Sequence, residues 1–389
     1  AVFAKATVIW SVGGLTGCAG SCAVCDGAGI SKMGIVYVTI NYRLGIFGFL
    51  AHPELTKESG GKASGNYGFL DQIEALKWVK KNIAAFGGDP SNITIAGQSA
   101  GSFSINALVA SPLAKGLFHK AIAESGGLMK GRIVKSLSEA EKAGQDFVTQ
   151  LKVSGIDEVR NMPADELQER AGKMPFGSFS PVFDNYVLPA DILTHFQQGK
   201  HNDVPLLTGW VIGDAAITGG QLLSAEKYVE QTKQLYGEKA GDFLKIFPAG
   251  SDEEAKQSQA KLSISQFAGL QSHLWAINNK SASYLYEFSF VPTDKQGFPN
   301  YGAFHTSEVP FAFRTLKLWN RPWKERDFAM EKIMSSYWVN FAKTGNPNGK
   351  GLPEWKSYNK ATGIIMELGE KIEAKPGLFK KEFDFLANQ

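Results

Sequence analysis

Gly97-Gln98-Ser99-Ala100-Gly101 lies between two segments of opposite character. Asn92-Ile93-Thr94-Ile95-Ala96 before it reads as a short apolar strand, and Ala100 to Ala110 after it reads as a helix. A serine at such a junction stands in a very tight turn. Small residues on both sides let the chain reverse there and lift the hydroxyl to the edge of a sheet. The helix that follows points its first N–H groups at whatever reacts at that place, which favours a developing oxyanion. A bare G-x-S-x-G string is common; between a strand and a helix it is specific. The competing reading is a serine that only caps the helix.

Outward from this junction, strands and helices alternate. Thr7–Trp10 and Ile35–Ile40 are β-rich runs, the second nearly all apolar, as in a parallel strand covered on both faces. Asn41–Leu50 reads as an irregular buried connection. Leu70 to Phe86 carries Leu70, Ile73, Leu76, Val79 and Ile83 at helical spacing, and Gly87-Gly88-Asp89-Pro90 ends it. Lys120–Glu124, Val204–Thr208, Ala282–Phe290 and Ile364–Leu368 read as further strands. Helices are expected over Ser136–Leu151, Ala164–Ala171, Ala225–Tyr236, Glu253–Trp275 and Phe328–Thr344. The alternation indicates an α/β fold with a central, mostly parallel sheet flanked by helices. The chain shows no credible linker and is expected to form a single domain over 1–389. Its helical stretches over about 128–203 and 215–280 fit cap insertions above the strand ends.

Composition narrows the function classes. Of 389 residues, 43% are hydrophobic and 20% charged, so a packed core is expected rather than disorder. A net charge of +3 gives no sign of a nucleic-acid partner or a membrane surface, and no apolar run reaches the length of a membrane span. No signal peptide is visible and residue 1 is alanine, which fits a mature or trimmed form, with a secreted or periplasmic location favoured. The three cysteines, Cys18, Cys22 and Cys25, cannot all pair within the chain. Their C-x3-C-x2-C spacing can hold an iron–sulfur cluster, but the serine turn contradicts that chemistry, and a loop with incidental thiols is the better reading.

A serine hydroxyl needs a base to take its proton, and the base needs a third group to orient it. His305, in Tyr301-Gly302-Ala303-Phe304-His305-Thr306-Ser307-Glu308, follows the Ala282–Phe290 strand on a Gly-containing loop that can bring a base to a sheet edge. Asp214 follows the Val204–Thr208 strand among Val211, Ile212, Ala215 and Ala216, apolar surroundings in which a carboxylate wants a partner. The chain order Ser99, Asp214, His305 is that of the α/β-hydrolase fold. The N–H of Ala100, with those of Gly13 and Gly14, supplies an oxyanion hole. Leu15, Trp210, Phe304 and Phe311 flank these elements and are candidates to line a substrate pocket, with ordinary packing the alternative for each. No metal or organic cofactor is required.

These residues resemble the type-B carboxylesterases, the family that includes cholinesterases and bacterial p-nitrobenzyl esterases. The resemblance is carried by Asn41-Tyr42-Arg43-Leu44-Gly45, Gly65-Asn66-Tyr67-Gly68, Phe86-Gly87-Gly88-Asp89-Pro90, the Ser99 pentapeptide, His305–Pro310, and Trp338-Val339-Asn340-Phe341 with Gly345-Asn346-Pro347-Asn348. It implies an α/β hydrolase that cleaves small-molecule esters through an acyl-enzyme, with Ser99 as nucleophile, His305 as base and Asp214 as acid. The chain departs from the family pattern in three places. About a hundred residues of N-terminal structure usual in the family are not present. The oxyanion loop reads Ser11-Val12-Gly13-Gly14-Leu15, one glycine short. The acid is Asp rather than the commoner Glu. The alternative to an enzyme is a catalytically inactive, cholinesterase-like interaction module.

Overall fold

Ile93, Ile95 and Ala96 are almost wholly buried, and so are Val8 and Ile9. Runs of this kind bury both faces of a strand, which suits a parallel sheet with helices on either side. The computed structural model describes residues 5–11, 25–130, 134–175, 177–218 and 222–389. These fall into two compact units. The first takes the described residues of Ala1–Cys22, Gly34–Ile122 and Leu128–Val204. The second takes those of Ala23–Met33, Ala123–Gly127 and Pro205–Gln389.

In the first unit, β1 (Lys5–Ser11) lies between β2 (Val36–Ile40) and β3 (Gly88–Gln98) and is parallel to both. Val8 pairs with Tyr37 on one side and Thr94 on the other. Helix α1 (Tyr67–Asn82) buries Phe69, Ile73, Leu76 and Val79, places Lys80 and Lys81 in its last turn, and tightens into a 3-10 turn over Ile83–Phe86. Gly87, at φ 77°, ends it in a left-handed conformation that other residues adopt at a cost. Helix α2 (Ala100–Ala110) is buried at every one of its 11 positions, so it has no polar face. Gln72 of α1 donates to Ser104 of α2 at 3.0 Å inside the core.

The Asn41–Leu50 stretch is more regular than expected. It contains a short helix, Gly45–Phe49, whose Gly48 sits so close to the Arg43 carbonyl that a Cβ would lie 2.1 Å from that oxygen. Ile46 and Leu50 then pack with Phe147 and Val148 of α3 (Leu137–Gln150) and with Ile156, Val159 and Leu167. Helix α3 starts where Ser136 and Glu139 form a reciprocal capping box.

Strand β4 (Lys120–Glu124) is buried throughout, its first three residues falling in the first unit and Ala123 and Glu124 in the second. In the second unit, β5 (Leu206–Val211) and β6 (Ser283–Phe288) pair in parallel, and every residue of both is buried. Strand β7 (Ile365–Leu368) continues parallel to β6, and β8 (Ile372–Lys375) turns back antiparallel on β7. The aromatic core of this unit contains Trp210, Tyr286, Tyr337 and Trp355, with Tyr337 and Trp355 edge to face at 5.1 Å. The helical run expected over Glu253–Trp275 is interrupted. It divides into α4 (Asp252–Ile264) and α5 (Leu270–Asn278) by a π-helical turn, Ser265–Gly269. The long helix α6 (Glu325–Thr344) begins one turn nearly earlier than the sequence reading and ends at Gly345, φ 79°. Cys25 is buried and disulfide-bonded, so it is not an incidental thiol; Cys18 and Cys22 lie outside the described residues.

Candidate active site

The turn between β3 and α2 is built around close backbone contact. A Cβ on Gly97 would stand 2.5 Å from both the carbonyl carbon and the oxygen of Gly101, so only glycine fits there without displacement. Ser99 itself takes φ 56° and ψ −120°, a strained conformation for a residue with a side chain. Its carbonyl accepts the first helical hydrogen bond, from Phe103 N–H at 3.0 Å. Its side chain makes no capping hydrogen bond, so the helix-cap reading of this serine fails. The strain instead presents the hydroxyl, partly exposed, at the N-terminus of a buried helix. The Ala100 N–H lies in the first helical turn, where amides have no partner within the helix.

In the second unit, Val211 ends β5 and the chain tightens into a 3-10 turn, Ile212–Asp214. Asp214 is wholly buried. Its Oδ2 accepts from Val211 N–H at 3.1 Å, and its Oδ1 lies 2.6 Å from His305 Nδ1. The loop carrying the imidazole is pressed onto this turn. A Cβ on Gly213 would lie 2.2 Å from the Ala303 carbonyl oxygen and 2.8 Å from Phe304 Cα. The short Asp214 side chain thus reaches His305 because Gly213 lets the two backbones approach. A carboxylate on Nδ1 fixes the orientation and tautomer of an imidazole. Phe267, inside the π-helical turn, sets its ring edge-on to His305 at 5.9 Å between centroids. Such turns recur at functional sites because they re-aim one side chain. The sequence reading missed Phe267, since its run reads as uninterrupted helix.

A group of buried acids behind this pair was also missed. Glu308, three residues after His305, is wholly buried, and neither carboxyl oxygen has a hydrogen-bond partner among the described residues. Glu124, at the end of β4, is equally buried and accepts from Trp338 Nε1 at 2.7 Å. Burial pushes the Glu124 carboxyl up to about 8 against the opposing Trp338 hydrogen bond. Burial, and then the charges of Glu124 and Asp214, raise Glu308 well above the ordinary carboxylate range. Like charges this close in a dry interior cannot all ionise. Burial and these neighbouring carboxylates thus favour the neutral form of Glu308. The signal in the sequence was an acid closing an otherwise apolar strand, Ala121-Ile122-Ala123-Glu124.

The remaining candidates divide. Trp210 is 0% exposed, its indole donating to Glu287 at 2.9 Å with Phe379 edge-on at 5.5 Å, and Phe311 is 0% exposed against Phe288 and Phe290. Both are packing residues. Phe304 is half-buried and lines a cavity of about 360 Å³. Gly13, Gly14 and Leu15 lie outside the described residues. Among the described residues no helix is long and apolar enough to cross a membrane.

Comparison with known proteins gives this arrangement its class. The structure superposes on a PNB esterase with a TM-score of 0.82, at 29% identity, covering 98% of this chain and 81% of that one. It superposes on a carboxylesterase of Geobacillus stearothermophilus with a TM-score of 0.83, at 28% identity over 98% and 82% of the two chains. The fold is therefore that of the α/β hydrolases, a mostly parallel sheet flanked by helices. By sequence, the chain is 32% identical over 394 residues to the fumonisin B1 esterase of Sphingopyxis macrogoltabida, covering 95% of this chain and 71% of that protein. It is 32% identical over 390 residues to the para-nitrobenzyl esterase of Bacillus subtilis, covering 94% and 76%. The profile of the carboxylesterase family matches residues 4–386, and the chain belongs to that family as a carboxylic ester hydrolase. The reading as an inactive interaction module finds no support.

Proposed function

We propose that Ser99, His305 and Asp214 form the catalytic triad of this esterase and that it acts through an acyl-enzyme. Ser99 Oγ attacks the ester carbonyl carbon while His305 Nε2 takes its proton. Asp214 keeps the imidazole in the tautomer with Nδ1–H and stabilises the imidazolium. The N–H groups of Ala100, Gly13 and Gly14 donate hydrogen bonds to the oxyanion. When the tetrahedral centre collapses, the alkoxide leaves with the proton from His305. Water, deprotonated by the same imidazole, then attacks the acyl carbonyl and releases the acid and Ser99. The observation that carries this reading is the 2.6 Å contact between the wholly buried Asp214 and His305.

The substrates are small to medium apolar or aryl esters, which the names of the para-nitrobenzyl and PNB esterase relatives support. The helical stretches over about 128–203 and 215–280 are insertions of the cap type. The test is rapid-mixing kinetics with a p-nitrophenyl ester. The Ser99→Ala variant is expected to lose the burst of p-nitrophenol. Asp214→Asn is expected to slow both acylation and turnover, by about 10⁴-fold, the scale set when an imidazole loses its orienting carboxylate. A burst retained in Ser99→Ala overturns the assignment.

A further inference from the structure

The cavity beside the His305 loop has a chemical character that ester hydrolysis alone does not require. Its walls include Phe298, Tyr301 and Leu318, which are 61%, 67% and 54% exposed. Large apolar side chains gathered at one open cavity mark a binding surface rather than random exposure. Its volume of about 360 Å³ falls within the range of small-molecule sites.

Two cations face the same space. The Arg321 guanidinium carbon lies 5.3 Å from the Phe304 ring centroid and 5.7 Å from that of Trp319, and Nη1 donates to the Thr293 carbonyl at 3.2 Å. Those contacts fix the plane of the guanidinium while using one of its five N–H donors. Lys295 stands over the Phe298 ring, 4.6 Å from its centroid. Neither cation forms an ion pair with a carboxylate among the described residues. The single acid on the wall, Asp294, accepts from Asn300 Nδ2 at 2.7 Å. Asn300 Oδ1 in turn accepts from Gly302 N–H at 2.7 Å, which ties this rim to the loop bearing His305.

We propose that this cavity seats the anionic aryl end of an ester substrate, a planar ring bearing a carboxylate, with the ring on Phe298 and Phe304 and the carboxylate on Arg321 and Lys295. The proposal rests on the reading of His305 as the base, because Phe304 of the cavity wall precedes it. It narrows the substrate class from aryl esters in general to those that carry a negative charge away from the scissile bond.

The test separates this site from the triad. Benzoate binding to the intact protein, followed by ligand-observed NMR, needs no turnover and is expected to be seen, to weaken with added salt and to be lost in Arg321→Leu. Kinetics then compare the mono-4-nitrophenyl ester of terephthalate with 4-nitrophenyl benzoate. The ratio of their kcat/KM values is expected to fall about tenfold in Arg321→Leu and severalfold in Lys295→Leu, as charge-assisted hydrogen bonds to the carboxylate are lost. Absence of benzoate binding, or the same ratio in both variants as in the parent protein, overturns the proposal. A burst retained in Ser99→Ala, with benzoate binding intact, would count against the triad and not against this cavity.

Discussion

Ser99 and its two glycine neighbours show how one residue position fixes chemistry. Ser99 holds φ 56° because Gly97 and Gly101 are in contact behind it, and that contact leaves no room for a Cβ at position 97. Gly97→Ala is expected to push the turn outward and displace the hydroxyl. A misplacement near 1 Å costs about 10²-fold in rate, so kcat/KM for a p-nitrophenyl ester should fall at least that far while the folded state persists. The pentapeptide was legible in the sequence because its glycines answer a local steric demand. Asp214 and His305 were legible for a different reason, the first as a carboxylate among apolar residues after a strand and the second as a histidine on a Gly-containing loop. Their pairing was only an inference from chain order, since 91 positions separate them and no local rule brings them to 2.6 Å. Gly213 supplies the missing physical link, and its role was invisible until Ala303 was found against it.

Elements were readable in proportion to how local their causes are. Helix α2 and strand β4 match the sequence reading in both boundaries, because glycine, proline and serine stop signals flank them. The π-helical turn over Ser265–Gly269 was not readable, since its apolar residues keep a spacing that a continuous α-helix also satisfies. The antiparallel strand β8 was missed as well. Ile372-Glu373-Ala374-Lys375 is half-exposed and charged, and it is a strand only because β7 offers it an edge. Between elements, the tie from Gln72 to Ser104 joins two buried helices. Ser104→Ala would leave the Gln72 amide buried without its acceptor, a loss of about 1–3 kcal/mol. Urea titration is expected to show a lower midpoint with an unchanged slope.

For the molecule as a whole, the buried acids tie stability to pH. Glu124 is raised from its ordinary value near 4.5 to about 8, and Glu308 is raised as well. A carboxyl whose pKa is higher folded than unfolded binds more protons in the folded state between those two values. Its contribution is complete below about 4.5 and is lost as pH climbs through about 8. The parent protein is therefore expected to lose stability across that window, and the Glu124→Gln/Glu308→Gln variant to show a flatter curve in urea titrations at pH 5, 6.5 and 8. An identical pH dependence in the two proteins would contradict this. Family membership was legible from the sequence because its motifs are dispersed over nearly the whole chain. The buried acid group was not, because Glu124, Asp214, Glu308 and Trp338 come from distant segments that share no spacing.

The central claim is that Ser99 is the nucleophile that His305 activates. It is tested most directly by reacting the intact protein with a fluorophosphonate and locating the adduct by peptide mass spectrometry. One phosphonyl group per chain on Ser99, formed far more slowly in His305→Ala, is the expected result. A stoichiometric adduct on another residue, or none on Ser99 in a protein that still hydrolyses esters, would contradict it.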